Sequence, residues 1–188
     1  MTSSLPIVTL RRPVASDERE WLNLRAVSRE FLTPWEPNPP PGTGSADENA
    51  FDRLLQTGWT DTHRRFLIVN DAGAIAGQCS LGQIIRGPLQ QAFLGYWIGL
   101  PHVRKGYAAA GVVQVLAYAF RTLLLNRVEA NIQPHNIASI ALARKVGFRL
   151  EGFSPEYLEI QGTFVDHERW AILGSEFVAR YPGTKPPM

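Results

Sequence analysis

A single cysteine, Cys79, stands in the 188 residues, so no internal disulfide can form. Its neighbours, QCSLG, read as strand interior, which predicts a small buried side chain rather than a reactive thiol. Histidine is scarce as well, with four residues and no metal-ligand spacing among them, and no metal site is expected. No apolar run approaches the length of a bilayer span. The start MTSSLPIVTLRR lacks the basic-then-apolar pattern of a leader, so the expectation is a cytoplasmic protein with no membrane partner. Charge of one sign is also missing. Nineteen Lys and Arg against seventeen Asp and Glu leave a net +2, too little to argue for direct nucleic-acid binding. Neither GxxxxGK[ST] nor GxGxxG occurs, which disfavours a P-loop nucleotidase and a Rossmann dinucleotide site.

What is present describes one folded unit. Hydrophobic residues make up 45% and charged residues 19%, enough for a single domain over residues 1–188 with its core at about 7–175. Residues 7–12 alternate as a strand. Asp17 and Glu20 stand at capping-box spacing before a helix expected to run to about Arg29. Five prolines and two glycines in residues 33–45 forbid helix there, and a second helix is expected from Asp47 to about Gly58. A β meander follows over 65–70, 74–85 and 92–99. Next come a helix to about Leu125, a strand over 127–133, a helix over 136–146, and strands near 153–160 and 164–173. Strand, helix and strand over 93–133 imply a right-handed crossover between parallel neighbours. The class expected is α/β (α+β), a mixed sheet of about seven strands flanked by about four helices.

Two stretches carry chemistry. HVRKGYAAAG, residues 102–111, sets Arg104, Lys105 and Gly106 before a helix whose first turn is alanine. Backbone N–H groups and the positive end of the helix dipole make such a start an anion site, and small side chains leave it open. The competing reading is a surface helix with solvated basic residues. In strand 127–133, Glu129, Asn131 and Gln133 share one face by period two, whereas Val128, Ala130 and Ile132 share the other. An interior parallel strand should be apolar on both faces, so the polar face suggests a cleft, with Glu129 as its carboxylate. The alternative is that Glu129 pairs with Arg127 or Arg169.

Together these stretches resemble the GNAT superfamily of N-acetyltransferases. HVRKGYA looks like its pyrophosphate loop and NIASIALARKVGF, residues 136–148, like the helix that follows. FLTPWEP, LGYWIG, RVEA, PHN, EGF and YLEIQGTFVDH resemble, in order, the RimJ/RimL branch of ribosomal-protein alanine N-acetyltransferases. Two positions depart from that branch: Arg104 stands where a glycine is usual, and Ala110 where an acidic residue is common.

The resemblance implies the GNAT fold, with the parallel pair splayed to form an acetyl-CoA cleft. It implies that Trp97, Ile98 and Gly99 meet the pantetheine arm, that Arg104, Lys105, Gly106, Tyr107, Ala108 and Ala109 hold the pyrophosphate, and that Asn136 and Ser139 lie at the thiol end. Ser139 matches the family position proposed as acid for the leaving thiolate. Glu129 and Glu159 are the expected bases, with His135 and Tyr157 weaker; Trp35, Glu36 and Tyr157 are expected on the acceptor side, though Trp35 reads equally as a core side chain. Removing a proton from an α-amine near neutral pH costs only about 1–1.5 kcal/mol, against about 4–5 for a lysine. A weakly activated base therefore suits a protein N-terminus, including that of a ribosomal protein. A small amine or antibiotic as acceptor, and a regulatory CoA-binding module without turnover, are the other readings. A monomer or homodimer is expected.

Overall fold

The computed structural model describes residues 5–38 and 49–187. Most of the proline-rich run and the expected helix start at Asp47 lie outside the described residues. The chain begins with β1 (Val8–Arg11), α1 (Glu18–Val27) and α2 (Arg29–Leu32), and then α3 (Ala50–Thr57). The short β2 (Trp59–Thr60) leads into β3 (His63–Asn70), β4 (Ile75–Ile85) and β5 (Gln91–Ile98). After α4 (Tyr107–Ala117) come β6 (Arg127–Ile132), α5 (Ile137–Val146), β7 (Arg149–Ile160), β8 (Thr163–Leu173) and α6 (Gly174–Arg180). The strands form one sheet in the order β1-β3-β4-β5-β6-β8-β7, with β2 added beside β3. Of the pairings, only β5 with β6 is parallel.

The sheet is covered on both faces, and alternation along β3 shows how. Phe66 and Ile68 point into a core shared with α4 and α5, through Val112, Val115, Leu116 and Ile140. Leu67 and Val69 point the other way, into a cluster with Trp21 and Leu24 of α1 and Phe51 and Leu54 of α3. Central placement explains why residues 66–69 of β3 are a continuous apolar run. Gly111 lets α4 lie close on the sheet; a Cβ there would come within 2.8 Å of Ile68 Cδ1. Cys79 is fully buried in the same core, and burial drives its thiol pKa upward, as expected of an inert side chain.

Several local expectations change. Asp17 and Glu20 form no capping box with each other. Asp17 instead accepts the Val14 N–H at 2.8 Å and binds Arg11, while Glu20 accepts the Ile75 N–H at 2.6 Å. Asp17 caps the turn before α1 instead, and a distant strand takes Glu20. A 3₁₀ turn over Thr33–Trp35 opens the proline-rich segment, with Pro34 in its first turn, where a missing N–H does no harm. The alanine-rich helix ends as α-helix at Ala117 and continues as a π-helical turn over Tyr118–Thr122. Leu124 is thereby released into a left-handed conformation and left exposed, although its spacing from Leu116 and Phe120 suggested a buried face. Helix α6 and strand β2 had no reading in the sequence.

Candidate active site

Strands β5 and β6 pair at only three positions: Gln91 with Arg127, Ala92 with Val128 and Phe93 with Glu129. Beyond these they part. Residues 94–98 of β5 stay with β4, whereas residues 130–132 of β6 stay with β8. The result is a V whose open end lies between the starts of α4 and α5. A cavity of about 770 Å³ fills it. A smaller pocket of about 160 Å³ lies deeper, and the two share Trp35, Tyr96, Asn136 and Ser139 in their walls.

The large cavity brings together most of the residues expected around a coenzyme. Trp97, Ile98, Arg104, Gly106, Tyr107, Ala108, Ala109, Asn136 and Ser139 all line it. Gly99 and Lys105 do not. The Gly99 N–H donates to Ala76 and its carbonyl accepts from His102, so its backbone groups are already in use, and Lys105 is exposed beside the loop. Gly106 sits at φ +83, as a glycine can. Arg104 is also left-handed, at φ +62, so the arginine adopts the conformation for which a glycine is the usual choice. His102, unremarked in the sequence, lines the cavity with Nδ1 buried and unpartnered. Burial, helped by Lys105, pushes its pKa below the ordinary value.

At the junction of the two cavities, Asn136 Oδ1 caps α5 by accepting the Ser139 N–H at 3.1 Å. Ser139 thus stands in the first turn of a helix aimed at the cleft. The Tyr96 hydroxyl reaches toward the Ser139 carbonyl at 3.5 Å, and burial raises its pKa to about 12, which keeps it a neutral donor. The deep pocket is walled by Leu94, Asn131, Gln133 and His167 besides the shared residues. His167 is 3% exposed, with Nδ1 3.0 Å from the Val165 carbonyl and its ring 5.8 Å from that of Tyr157.

The carboxylates expected as bases lie elsewhere. Glu129 is 4% exposed and lines neither cavity, because the V closes at its pairing with Phe93. Arg127 donates to it at 2.7 Å and Arg169 at 2.9 Å. Burial alone would raise its pKa, but the two guanidinium groups prevail and hold the carboxyl below its ordinary value. That suits an anchoring ion pair rather than a proton acceptor. Glu159 is exposed on the β7–β8 hairpin and lines neither cavity. Of the acceptor-side residues, Trp35 lines both cavities and Glu36 the large one; Tyr157 touches the deep pocket only through neighbours, its hydroxyl accepting from Asn131 Nδ2 at 3.4 Å. Arg25 binds the Glu36 carboxylate with two hydrogen bonds, so this group is already neutralised. His135 is exposed at the rim. Tyr96 and His167 lie in the family-like stretches LGYWIG and YLEIQGTFVDH, but nothing in their spacing sets them apart as site residues.

Residues 8–149 match the model of the acetyltransferase (GNAT) domain. The [ribosomal protein uS5]-alanine N-acetyltransferase of Escherichia coli is 30% identical over 160 residues, covering 78% of this chain and 77% of that one. A further bacterial relative, 41% identical over 102 residues, is matched over only 56% of its own length. Among solved structures, Mycobacterium smegmatis RimJ in complex with CoA-disulfide superposes with a TM-score of 0.77 at 27% identity, covering 96% of this chain and 92% of that one. Vibrio cholerae spermidine N-acetyltransferase in complex with CoA and spermine gives 0.74 at 25% identity, covering 91% and 98%. Among the described residues no group of acidic, histidine or cysteine side chains could hold a metal ion, and no helix is long and apolar enough to cross a membrane.

Proposed function

The chain belongs to the acetyltransferase (GNAT) family and is an N-acetyltransferase; from that premise we propose that it moves the acetyl group of acetyl-CoA to the N-terminal α-amine of a protein, a ribosomal protein first among them. The observation that carries the choice of acceptor is the lack of a free carboxylate. Among the described residues Glu36 is the one carboxylate in the walls of either cavity, and Arg25 already holds it. A polyamine, with several positive charges, calls for carboxylates to receive them; a single α-amine does not. Its modest cost of deprotonation, about 1–1.5 kcal/mol near neutral pH, also suits a site without a free carboxylate.

On this reading the turn through Arg104 and Gly106 curls backbone N–H groups around the diphosphate at the start of α4, and Lys105 adds charge from outside. Residues 94–98 of β5, left without a β6 partner, offer an edge to the amides of the pantetheine arm. Ser139 stands where a thiolate departs, and the dipole of α5 favours that negative charge. The whole chain would act as a single domain in the cytoplasm, with no metal.

The likeness to the spermidine enzyme favours a second reading, a small polyamine as acceptor. Thiol release from acetyl-CoA, followed over peptides with free N-terminal Ala or Ser, their N-blocked lysine counterparts and spermine, separates the two. N-terminal peptides should turn over with kcat/KM at least tenfold above the rest. Preference for spermine would overturn the choice of acceptor. Tight CoA binding without release from any amine would instead mark a regulatory module.

A further inference from the structure

The deep pocket contains two hydrogen-bond acceptors that the fold itself does not use. Asn131 Oδ1 is buried with no partner, because the amide's Nδ2 is turned to the Tyr157 hydroxyl. A buried carbonyl oxygen left unpaired is uncommon and points to a ligand donor. His167 is the second. Its Nδ1 faces the Val165 carbonyl, which can only accept, so Nδ1 carries the hydrogen and Nε2 carries the lone pair. Nε2 has no partner among the described residues. Two acceptors in a pocket with no carboxylate among its described walls suit a primary ammonium, which brings only donors.

We propose that His167 is the catalytic base of the transfer and that Asn131 Oδ1 holds the acceptor amine beside it. The inference rests on the acetyl-transfer reading above. The ammonium gives one proton to His167 Nε2. The freed lone pair forms the C–N bond at the acetyl carbonyl carbon, and the C–S bond breaks. The second proton leaving nitrogen ends on the departing thiolate by way of Ser139, and the imidazolium returns the first to solvent. One proton is released per acetyl group transferred.

The groups that face His167 leave its proton exchange to the amine. Tyr157 approaches from β7, Tyr96 from β5, Asn131 and Gln133 from β6, and Asn136 and Ser139 from α5. None of these carries a charge at neutral pH. On its own strand, Asp166 accepts the Glu156 N–H and Glu168 accepts from Trp170 Nε1, while Arg169 is engaged by Glu129.

The test compares wild type with His167→Asn, whose amide nitrogen can keep the Nδ1 bond to Val165, and with His167→Gln, whose amide reaches the Nε2 position. All three should show the same rise in melting temperature on adding CoA, which certifies the fold and the coenzyme site. Wild-type kcat, measured on an N-terminal peptide, should show an acid limb of one proton, falling tenfold per pH unit. In the variants that limb should move up toward the amine's own pKa, with kcat reduced about 10²-fold or more at pH 7 and much less at pH 9. Asn131→Ala should raise KM for the peptide without moving the limb. An unchanged limb in either folded variant, or its absence in wild type, overturns the assignment while acetyl transfer stands. No turnover by wild type on any amine would instead strike the acetyl-transfer reading itself.

Discussion

Arg25 grips Glu36 with two parallel hydrogen bonds, both of 2.6 Å, and lays its guanidinium 5.1 Å from the ring of Trp97. One arginine thus ties α1, the start of the proline-rich segment and β5 together. The Glu36 carbonyl also accepts from Gln161 on the β7–β8 turn, and the Pro34 carbonyl from Gln133. The mouth of the acceptor side is therefore a laced ring rather than a free loop.

If the Arg25–Glu36 pair sets that ring, Arg25→Ala and Glu36→Ala should each raise KM for the acceptor several-fold. A double-mutant cycle on unfolding free energy should give a coupling of about 0.5–1 kcal/mol, since both side chains are partly exposed. A coupling of zero with unchanged KM would show that the loop is held by its other ties.

Glu129 is expected to matter for stability and not for proton transfer. Glu129→Gln removes the charge of a buried carboxylate, but Arg169 is partly exposed and Arg127 keeps Glu151, so it should destabilise by about 1–2 kcal/mol in urea denaturation. The surviving folded enzyme should keep the wild-type pH–rate profile. The sign of the linkage is set by its lowered pKa. Wild-type stabilisation from this carboxylate is complete above the unfolded-state value of about 4.3 and is lost as pH falls through the lower folded value. Asp17, held low by the hydrogen bond from Arg11, adds loss in the same range. Between about pH 5 and 3 the stability of Glu129→Gln should therefore fall less steeply than that of wild type.

The two left-handed residues of the turn before α4 predict opposite responses. Arg104→Gly relieves a strained φ at +62 and should be neutral or stabilising by up to about 1 kcal/mol in thermal unfolding. Gly106→Ala imposes strain at φ +83 and brings its Cβ within 3.0 Å of Pro6 Cδ, so it should destabilise by about 1 kcal/mol or more. On the proposed function it should also weaken CoA affinity, read by calorimetry, more than Arg104→Gly does.

Gly77 of β4 supports the coenzyme strand from behind. A Cβ there would lie 2.2 Å from the Trp97 carbonyl oxygen, and backbone cannot step aside as a side chain can. Gly77→Ala should destabilise by about 2 kcal/mol or more and lower CoA affinity by displacing β5. Retention of wild-type melting and binding would show that β4 and β5 slide freely.

The outline of this protein was readable because its signals are local. Alternation marked β1 and β6, short apolar runs between turns marked β3 to β5, and the Gly106 turn before three alanines marked the start of α4. The site's chemistry was less readable, for a reason visible at Glu129. Period two correctly placed Glu129, Asn131 and Gln133 on one polar face. Only the place where β5 and β6 part determines which of the three open on the cleft, and that point falls just beyond Glu129. His167 shows the converse, since an ordinary strand residue became a pocket wall.

The linear order of residues by itself determined the class of fold, the glycine turn before α4 and the cap that turns Asn136 toward Ser139, because each depends on neighbours a few positions apart. Tertiary structure alone decided which charged and polar groups meet. Arg25 with Glu36 and Arg169 with Glu129 are paired, and His167 and Asn131 are set in the wall of one pocket, by sheet order and strand divergence. Charge and proton affinity depend on such through-space neighbours and on exclusion of water, and neither is written into the spacing of a chain.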